Sequence, residues 1–325
     1  MLKNHIISFI NKHSLVQKNS TIVIGLSGGP DSVFLLYFLK EITQDYNLNL
    51  IAAHLDHEWR NESYKDADFC ATIAKRLNIP CTIKKMSELD VPFKMKGSKE
   101  ELGRRARRFF FEQVAQKYNA QSIALGHHLN DQEETFFIRL IRGTTLSGLS
   151  AMRPKAGLYI RPLLETSKKE ILQYLNDNEL EYVVDLTNIQ ESYLRNRIRK
   201  NVIPALQECD ERFDQNFLRT LYTLQNADDF LHKITEQTFD TISHRTNTIL
   251  EINSELLFKQ DPYLQNRLLI FWLIKEKVPF VPTEKFLEEI KRFLIQPHSK
   301  EHHIHQHWSL IKKKNYVAIK KNTQN

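Results

Sequence analysis

The sequence predicts an α/β fold, a doubly wound parallel sheet, followed by a second, smaller and mostly helical domain. Four observations carry that prediction. The run Ile22-Val23-Ile24-Gly25-Leu26 has the composition of a strand buried on both faces. Past Ser27-Gly28-Gly29-Pro30-Asp31-Ser32, residues 33–39 are again apolar and read as a buried helix. Further strand and helix patterns alternate after it, the rhythm of βα units. Finally, all nine glycines lie between Gly25 and Gly157. Backbone positions that need unusual angles or close ligand approach are therefore confined to the first part of the chain.

The hexapeptide between the first strand and helix organises the rest. Two adjacent glycines let a backbone approach an anion, and N–H groups at the helix start point toward it. Ser27 and Ser32 add hydroxyl donors, and Asp31 can hold a magnesium ion bridging phosphates. No lysine follows the glycines, which disfavours the common loop G-x-x-x-x-G-K-[ST].

Residues 48–55 (LNLIAAHL) read as a second strand ending in His54-Leu55-Asp56-His57-Glu58-Trp59-Arg60. Polar groups at the carboxyl end of such a strand lie where open α/β sheets bind ligands. His54, Asp56 and His57 suit metal ligation, acid–base work or contact with a nucleotide base. A helix over 62–77 and a strand over 80–85 follow. The next helix carries four arginines in five positions, Arg104, Arg105, Arg107 and Arg108, flanked by Lys94, Lys96, Lys99 and Lys117. Arg104, Arg107 and Arg108 fall on one face, an arrangement suited to RNA or nucleotide phosphates. Strand 121–125 then runs into Gly126-His127-His128-Leu129-Asn130-Asp131, with Asn130 or Asp131 available to cap the following helix.

Residues 193–206 hold a second basic group, Arg195, Arg197, Arg199 and Lys200, and close the first domain, 1–206. The second domain, 207–325, has apolar residues at helical spacing from Phe213 onward. It ends in a basic hairpin, with arms 303–308 and 316–320 around Lys312-Lys313-Lys314-Asn315. Alternate histidines in that tail share a face that suits zinc less well than a polar, RNA-facing strand.

The 325 residues carry a net charge of +7, which favours a polyanionic partner. Cys70, Cys81 and Cys209 form no C-x-x-C, against a disulfide framework, a zinc ribbon or an iron–sulfur site. The first residues lack a secretory signal and no apolar run reaches spanning length. The expectation is a cytoplasmic protein with no membrane association.

The loop resembles the pyrophosphate-binding (PP-loop) motif of the N-type ATP pyrophosphatases. Within that superfamily, GHHLNDQEETFFIRLIRGTTLSGLSAM and HLDHEWR resemble the signature segments of tRNA(Ile)-lysidine synthetases. Glu101-x-x-Arg104-x-x-Arg107, Arg161-Pro162-Leu163-Leu164, Asp185-Leu186-Thr187-Asn188, Arg195-Asn196-Arg197-Ile198-Arg199 and Pro204 continue the match in family order. There are two departures. The family usually has two aspartates where this chain has Asn130-Asp131, and Arg108 replaces a common aromatic.

The resemblance implies an adenine nucleotide alpha hydrolase-like fold with ATP and magnesium at the carboxyl ends of its strands. The implied reaction joins free L-lysine to carbon 2 of the wobble cytidine of the CAU-anticodon isoleucine tRNA, through an adenylated cytidine, releasing AMP and pyrophosphate. Ser27, Gly28, Gly29, Pro30, Asp31 and Ser32 would hold the phosphates, with His54, Gly126, His127 and His128 around the nucleotide. Asp31 is the first magnesium candidate; Asp131 is the second, or positions lysine. Asp56 and His57 would serve the base and lysine pocket. Arg104, Arg107 and Arg195 would contact phosphates or stabilise the adenylate. A homodimer is compatible with this expectation. Rival classes are a tRNA thiolase, which needs sulfur-carrying cysteines, an RNA-independent amide synthetase, and a non-catalytic tRNA-binding module.

Overall fold

The computed structural model describes residues 1–92, 97–183, 193–246, 249–297 and 299–322. Lys94, Lys96 and the segment Asp185-Leu186-Thr187-Asn188 lie outside them. The chain forms two compact units, Met1–Leu224 and Gln225–Asn325.

The first unit runs α1 (Leu2–Lys12), β1 (Thr21–Gly25), α2 (Pro30–Glu41), α3 (Thr43–Tyr46), β2 (Asn49–Asp56), α4 (Ser63–Arg76), β3 (Cys81–Lys85), α5 (Lys99–Lys117) and β4 (Ser122–Ala124). It continues with α6 (Leu129–Ile141), α7 (Leu146–Leu149), β5 (Lys155–Ala156), β6 (Tyr159–Ile160), α8 (Lys168–Asp177), α9 (Tyr193–Arg197), α10 (Ile203–Cys209) and the start of α11 (Phe213–Ile242). A π-turn over Ile198–Val202 links α9 to α10. The sheet order is β3-β2-β1-β4-β6-β5, parallel except for the short β5–β6 pair.

Side-chain alternation along β1 sets the layers. Ile22 and Ile24 pack with α1, α2 and α8 residues, among them Ile6, Phe34, Leu35 and Ile171. Val23 faces the opposite side, against Ala106, Phe110, Phe111 and Val114 of α5. The sheet is thus covered on both faces, which is why its strands read as apolar runs. From β1 the chain builds outward through β2 and β3, then returns to place β4 on the other side of β1. That reversal is a topological switch point, where the loops after β1 and β4 open a crevice.

The second unit holds the rest of α11, β7 (Ser243–Thr246), β8 (Ile249–Asn253), α12 (Ser254–Phe258), α13 (Pro262–Lys275), α14 (Glu284–Ile295), β9 (Glu301–His305), β10 (Trp308–Lys313) and β11 (Tyr316–Lys321). Helices predominate, but the strands form one five-stranded sheet, β7-β8-β11-β10-β9, larger than the terminal hairpin expected from the sequence. The hairpin arms are β10 and β11, paired from Trp308–Lys321 to Lys313–Tyr316. Most of 303–308, read as its first arm, belongs instead to β9 and the turn after it. Leu268, Leu269, Trp272, Ile290, Phe293, Leu310 and Val317 make the core of this unit.

The tail histidines are engaged within this unit. His303 Nδ1 and Ser309 Oγ are 2.8 Å apart, His302 Nε2 is 3.2 Å from Glu289, and His305 Nδ1 accepts the His307 N–H. Lys312 Nζ donates to the Leu294 and Gln296 carbonyls, closing the C-terminus of α14. Lys313 and Lys314 remain exposed.

Candidate functional site

The loop after β1 has the conformation its glycines permit. Gly28 sits at φ +85°, in the left-handed region, and Gly29 is the extended N-cap of α2, with Pro30 at its first position. Ser32 locks the turn: its Oγ accepts the Ser27 N–H (3.1 Å), donates to the Gly29 carbonyl (2.9 Å) and lies 3.1 Å from Ser27 Oγ. Gly29 N–H donates to Ser27 Oγ across 3.4 Å, a long bond. The start of α2 therefore presents a backbone cradle with the Asp31 carboxylate beside it.

The loop after β4 meets this cradle through Gly126. A Cβ there would sit 3.0 Å from the backbone carbon and oxygen of Asp31 and 3.1 Å from the Ser32 nitrogen. No larger residue fits without moving the loop. His127 and His128 follow, and His128 is the N-cap of α6. Asp131, at the third helical position, accepts the His128 N–H at 3.1 Å. It thus performs the capping that the sequence allowed to Asn130 or Asp131. His128 Nε2 lies 3.7 Å from Asp31 Oδ1 and 3.6 Å from Asp131 Oδ2, so one imidazole joins both carboxylates.

Burial works against the Asp131 carboxylate. His128, His127, the His128 backbone N–H and Arg195 outweigh it and hold the group below its ordinary value. Burial also holds His127 down to about 4, with Asp131 opposing and Arg161, Arg195 and His128 reinforcing. His57 is likewise held down to about 4 by burial, then by Arg107 and His54. His54 is lowered by burial, opposed by its bond to the Leu26 carbonyl, to which Nδ1 donates at 2.9 Å. These three rings are therefore neutral at pH 7. His54 Nε2, both nitrogens of His57, and Nδ1 of His127 and of His128 have no hydrogen-bond partner among the described residues. Unpartnered ring nitrogens at strand ends are what a site for a polar ligand offers.

Asp56 turns inward instead. It is buried and its Oδ1 accepts the Glu58 N–H at 2.8 Å, closing a turn in which Glu58 has φ +55°. Trp59, just beyond, stacks on His57 with ring centroids 4.5 Å apart. It also abuts α5 where Gly103 leaves room, since a Cβ there would come within 2.6 Å of the indole. Lys99 lies over the same ring. This packing brings the arginine helix to the strand ends, with Arg104, Arg107 and Arg108 all exposed.

Arg195 comes from α9 and lies across α6. Its Nε donates to Glu134 Oε2 at 2.6 Å, and Nη2 reaches Asp131 Oδ1 at 3.4 Å. It positions Asp131 as much as it faces any ligand. Three contributors were given no role in the sequence reading. Lys168 Nζ is 2.5 Å from Asp31 Oδ1. Buried Glu134 receives both Arg195 and Arg199. The Arg161 Nε is buried with no partner among the described residues, and the Arg161 charge helps to lower His127.

Glu133 is fully buried, and burial pushes its carboxyl up to about 8, with Asp214 adding to the rise and the Asn130 amide opposing it. The native state thus keeps a proton between the ordinary value of 4.5 and about 8 that the unfolded chain has released. That stability is fully present below 4.5 and is lost as pH rises through 8. Glu133→Gln removes the titration. Its stability relative to wild type should grow between pH 5 and 8, by on the order of 2 kcal/mol. Denaturant melts at several pH values check this, and parallel curves for the two proteins would refute it.

A parallel sheet with a glycine cradle at its switch point, flanked by carboxylates and neutral imidazoles, is the construction of a phosphate-binding α/β protein. The family model described as a PP-loop domain matches residues 2–206, and the chain belongs to that family. A tRNA(Ile)-lysidine synthase from Bacillus subtilis (strain 168) is 36% identical over 295 residues, 88% of this chain and 61% of the relative. Another, from Clostridium perfringens, is 33% identical over 296 residues, 89% of this chain and again 61% of the relative. The chain thus spans about three fifths of the length of these relatives. Among solved structures, a U34-tRNA thiolase from Methanococcus maripaludis, described with its [4Fe-4S] cluster, shares the fold. Its TM-score is 0.58 at 20% identity, over 68% of this chain and 78% of that one.

Proposed function

We propose that this chain is an ATP-dependent ligase of RNA. It joins L-lysine to carbon 2 of the wobble cytidine of the CAU-anticodon isoleucine tRNA, forming lysidine with release of AMP and pyrophosphate. The observation that carries the reading is the junction of the Gly28–Gly29 cradle with Asp31, His128 and Asp131, in a chain whose relatives bear the lysidine synthase name over nearly nine tenths of its length. Carbon 2 of cytosine is a poor electrophile because its oxygen leaves poorly. Adenylation of that oxygen makes AMP the leaving group for attack by the lysine ε-amine.

In this reading the cradle grips the distal phosphates and leaves the α phosphorus open to the cytidine oxygen. Asp31 and Asp131 offer hard oxygen donors on either side of one imidazole. Magnesium commonly takes one or two carboxylates and completes its shell with phosphates and water, so this pair fits it. Bound there, the ion would neutralise phosphate charge. The neutral rings of His54, His57 and His127 can accept hydrogen bonds or the proton that a lysine amine must lose before attack. Arg104 and Arg107 lie on the exposed face of α5 and supply phosphate contacts. Residues 1–206 are the proposed catalytic domain in the cytoplasm, and 207–325 contribute to tRNA contact.

The thiolase alternative needs reactive thiolates. Cys70 is fully buried and burial pushes its thiol far up, while burial pushes Cys81 up to about 11. Neither is set up as a sulfur carrier.

The test combines the chain with ATP, magnesium, labelled lysine and the tRNA transcript, and follows label in RNA with AMP and pyrophosphate. Label that disappears when the wobble cytidine is replaced is the expected result. AMP release without label would shift the assignment to another nucleophile, and no ATP cleavage would remove the enzyme reading. A companion prediction concerns Gly126→Ala. Its Cβ displaces the Asp31 backbone, and ATP binding should weaken about tenfold by calorimetry. Unchanged affinity would show that the loop yields without cost.

A further inference from the structure

We propose that Lys168 is a phosphate ligand of the bound nucleotide, delivered to the glycine loop from 137 residues further along the chain. The proposal rests on the nucleotide reading above and deepens it. The loop has no lysine of its own, so its backbone amides and hydroxyls face a polyphosphate without a fixed cation. Lys168 Nζ stands 2.5 Å from Oδ1 of Asp31, beside the cradle. The His128 imidazole lies 3.7 Å from the same oxygen.

The base of the lysine is anchored. Ser167 caps α8: its Oγ accepts the Glu170 N–H at 3.2 Å, and Glu170 accepts the Ser167 N–H at 2.8 Å. The Lys168 N–H donates to Asn130 Oδ1 at 2.9 Å, and the Leu129 N–H donates to the Thr166 carbonyl at 2.9 Å. The start of α8 is thereby registered to the start of α6, and the side chain leaves from a fixed shelf. Asn130, the residue that departs from the family's usual aspartate, acquires a role here. Its Oδ1 holds the Lys168 backbone while its Nδ2 donates to Glu133 Oε2 at 3.0 Å. An aspartate would keep the first contact and oppose a carboxylate to Glu133 at the second.

Charge then determines what happens when nucleotide arrives. In the nucleotide-free chain the ammonium neutralises Asp31. A divalent cation held by that carboxylate would repel an ammonium so close to it. The four-carbon stem lets the head swing while the backbone stays anchored, and the nearest new anion is the triphosphate. Lys168 thus supplies, from another element, the point charge that other phosphate loops carry within the loop.

The test compares wild type, Lys168→Met and Lys168→Arg in the full chain. Binding of α,β-methylene ATP and of AMP is measured by calorimetry with excess magnesium, alongside thermal midpoints. Lys168→Met should weaken the triphosphate analogue about 10- to 100-fold and AMP by less than about twofold. Lys168→Arg should retain most of the affinity. Unchanged analogue affinity in Lys168→Met overturns the proposal and leaves the lysine as an ion-pair strut. An equal loss for AMP and analogue does the same. Where Lys168→Met fails to fold, Lys168→Gln is read by the same ratio. A wild-type chain that binds neither ligand overturns the nucleotide reading and this proposal together, whereas wild-type binding with an indifferent variant overturns this proposal alone.

Discussion

Asp31→Asn should lower the proposed lysine transfer to RNA by about 100- to 1,000-fold while leaving the fold intact. Asp31 lies in the first turn of α2, partly exposed, with the Lys168 ammonium and the His128 imidazole as its neighbours. An amide keeps its shape but neither binds a hard cation strongly nor balances the ammonium. The structural cost is a favourable charge at a helix N-terminus and one partly exposed ion pair, each about 0.3–1 kcal/mol. Turnover with saturating ATP and magnesium, together with a thermal melt, separates the two effects. Full activity would remove Asp31 from the chemistry. Asp131→Asn should behave differently. Its carboxylate caps α6, contacts His128 and receives Arg195, so activity and midpoint should fall together.

The sequence made this part of the site legible because its signals are local. A strand, two glycines, a proline and an acid occupy ten consecutive positions, and a parallel sheet necessarily brings the carboxyl ends of β1, β2 and β4 together. His54, His57, His127 and His128 could therefore be placed at strand ends from the local pattern, and the family resemblance implied that they share one pocket. The strands expected at 48–55, 80–85 and 121–125 appear as Asn49–Asp56, Cys81–Lys85 and Ser122–Ala124.

What stayed hidden depends on contacts between segments far apart in sequence. Lys168 looks like an ordinary first-turn lysine until α8 is packed beside the loop. Glu133 and Glu134 sit in a helix whose polar letters suggest solvent, yet both are buried. Their partners, Asp214, Arg195 and Arg199, come from later elements. In the second unit, β8 pairs with β11 across more than sixty residues, and such short strands carry too little alternation to be told from helix.

Glu134 yields the larger stability prediction. Its side chain is 1% exposed, and its two oxygens accept Arg195 Nε and Arg199 Nε, each at 2.6 Å, with Arg199 Nη2 at 3.2 Å. The carboxylate thereby pins α9 and the π-turn after it onto α6. Burial alone would lower the Arg195 value; the Glu134 bond and charge, with Asp131, raise it instead. Glu134→Ala leaves a cavity and takes the shared carboxylate from both arginines. The expected cost is about 3 kcal/mol, near the low end for breaking a buried pair because Arg199 is partly solvated. That corresponds to a midpoint about 6–12 °C lower. Glu134→Gln keeps the volume and one acceptor, and should lose about half as much. Arg195, released from Glu134, can turn fully onto Asp131, so the Ala variant should also lose activity at temperatures where it is folded. Denaturant unfolding and turnover at 15 °C would measure the two losses separately. An unchanged midpoint would mean that the arginines are held elsewhere and that α9 does not depend on this carboxylate.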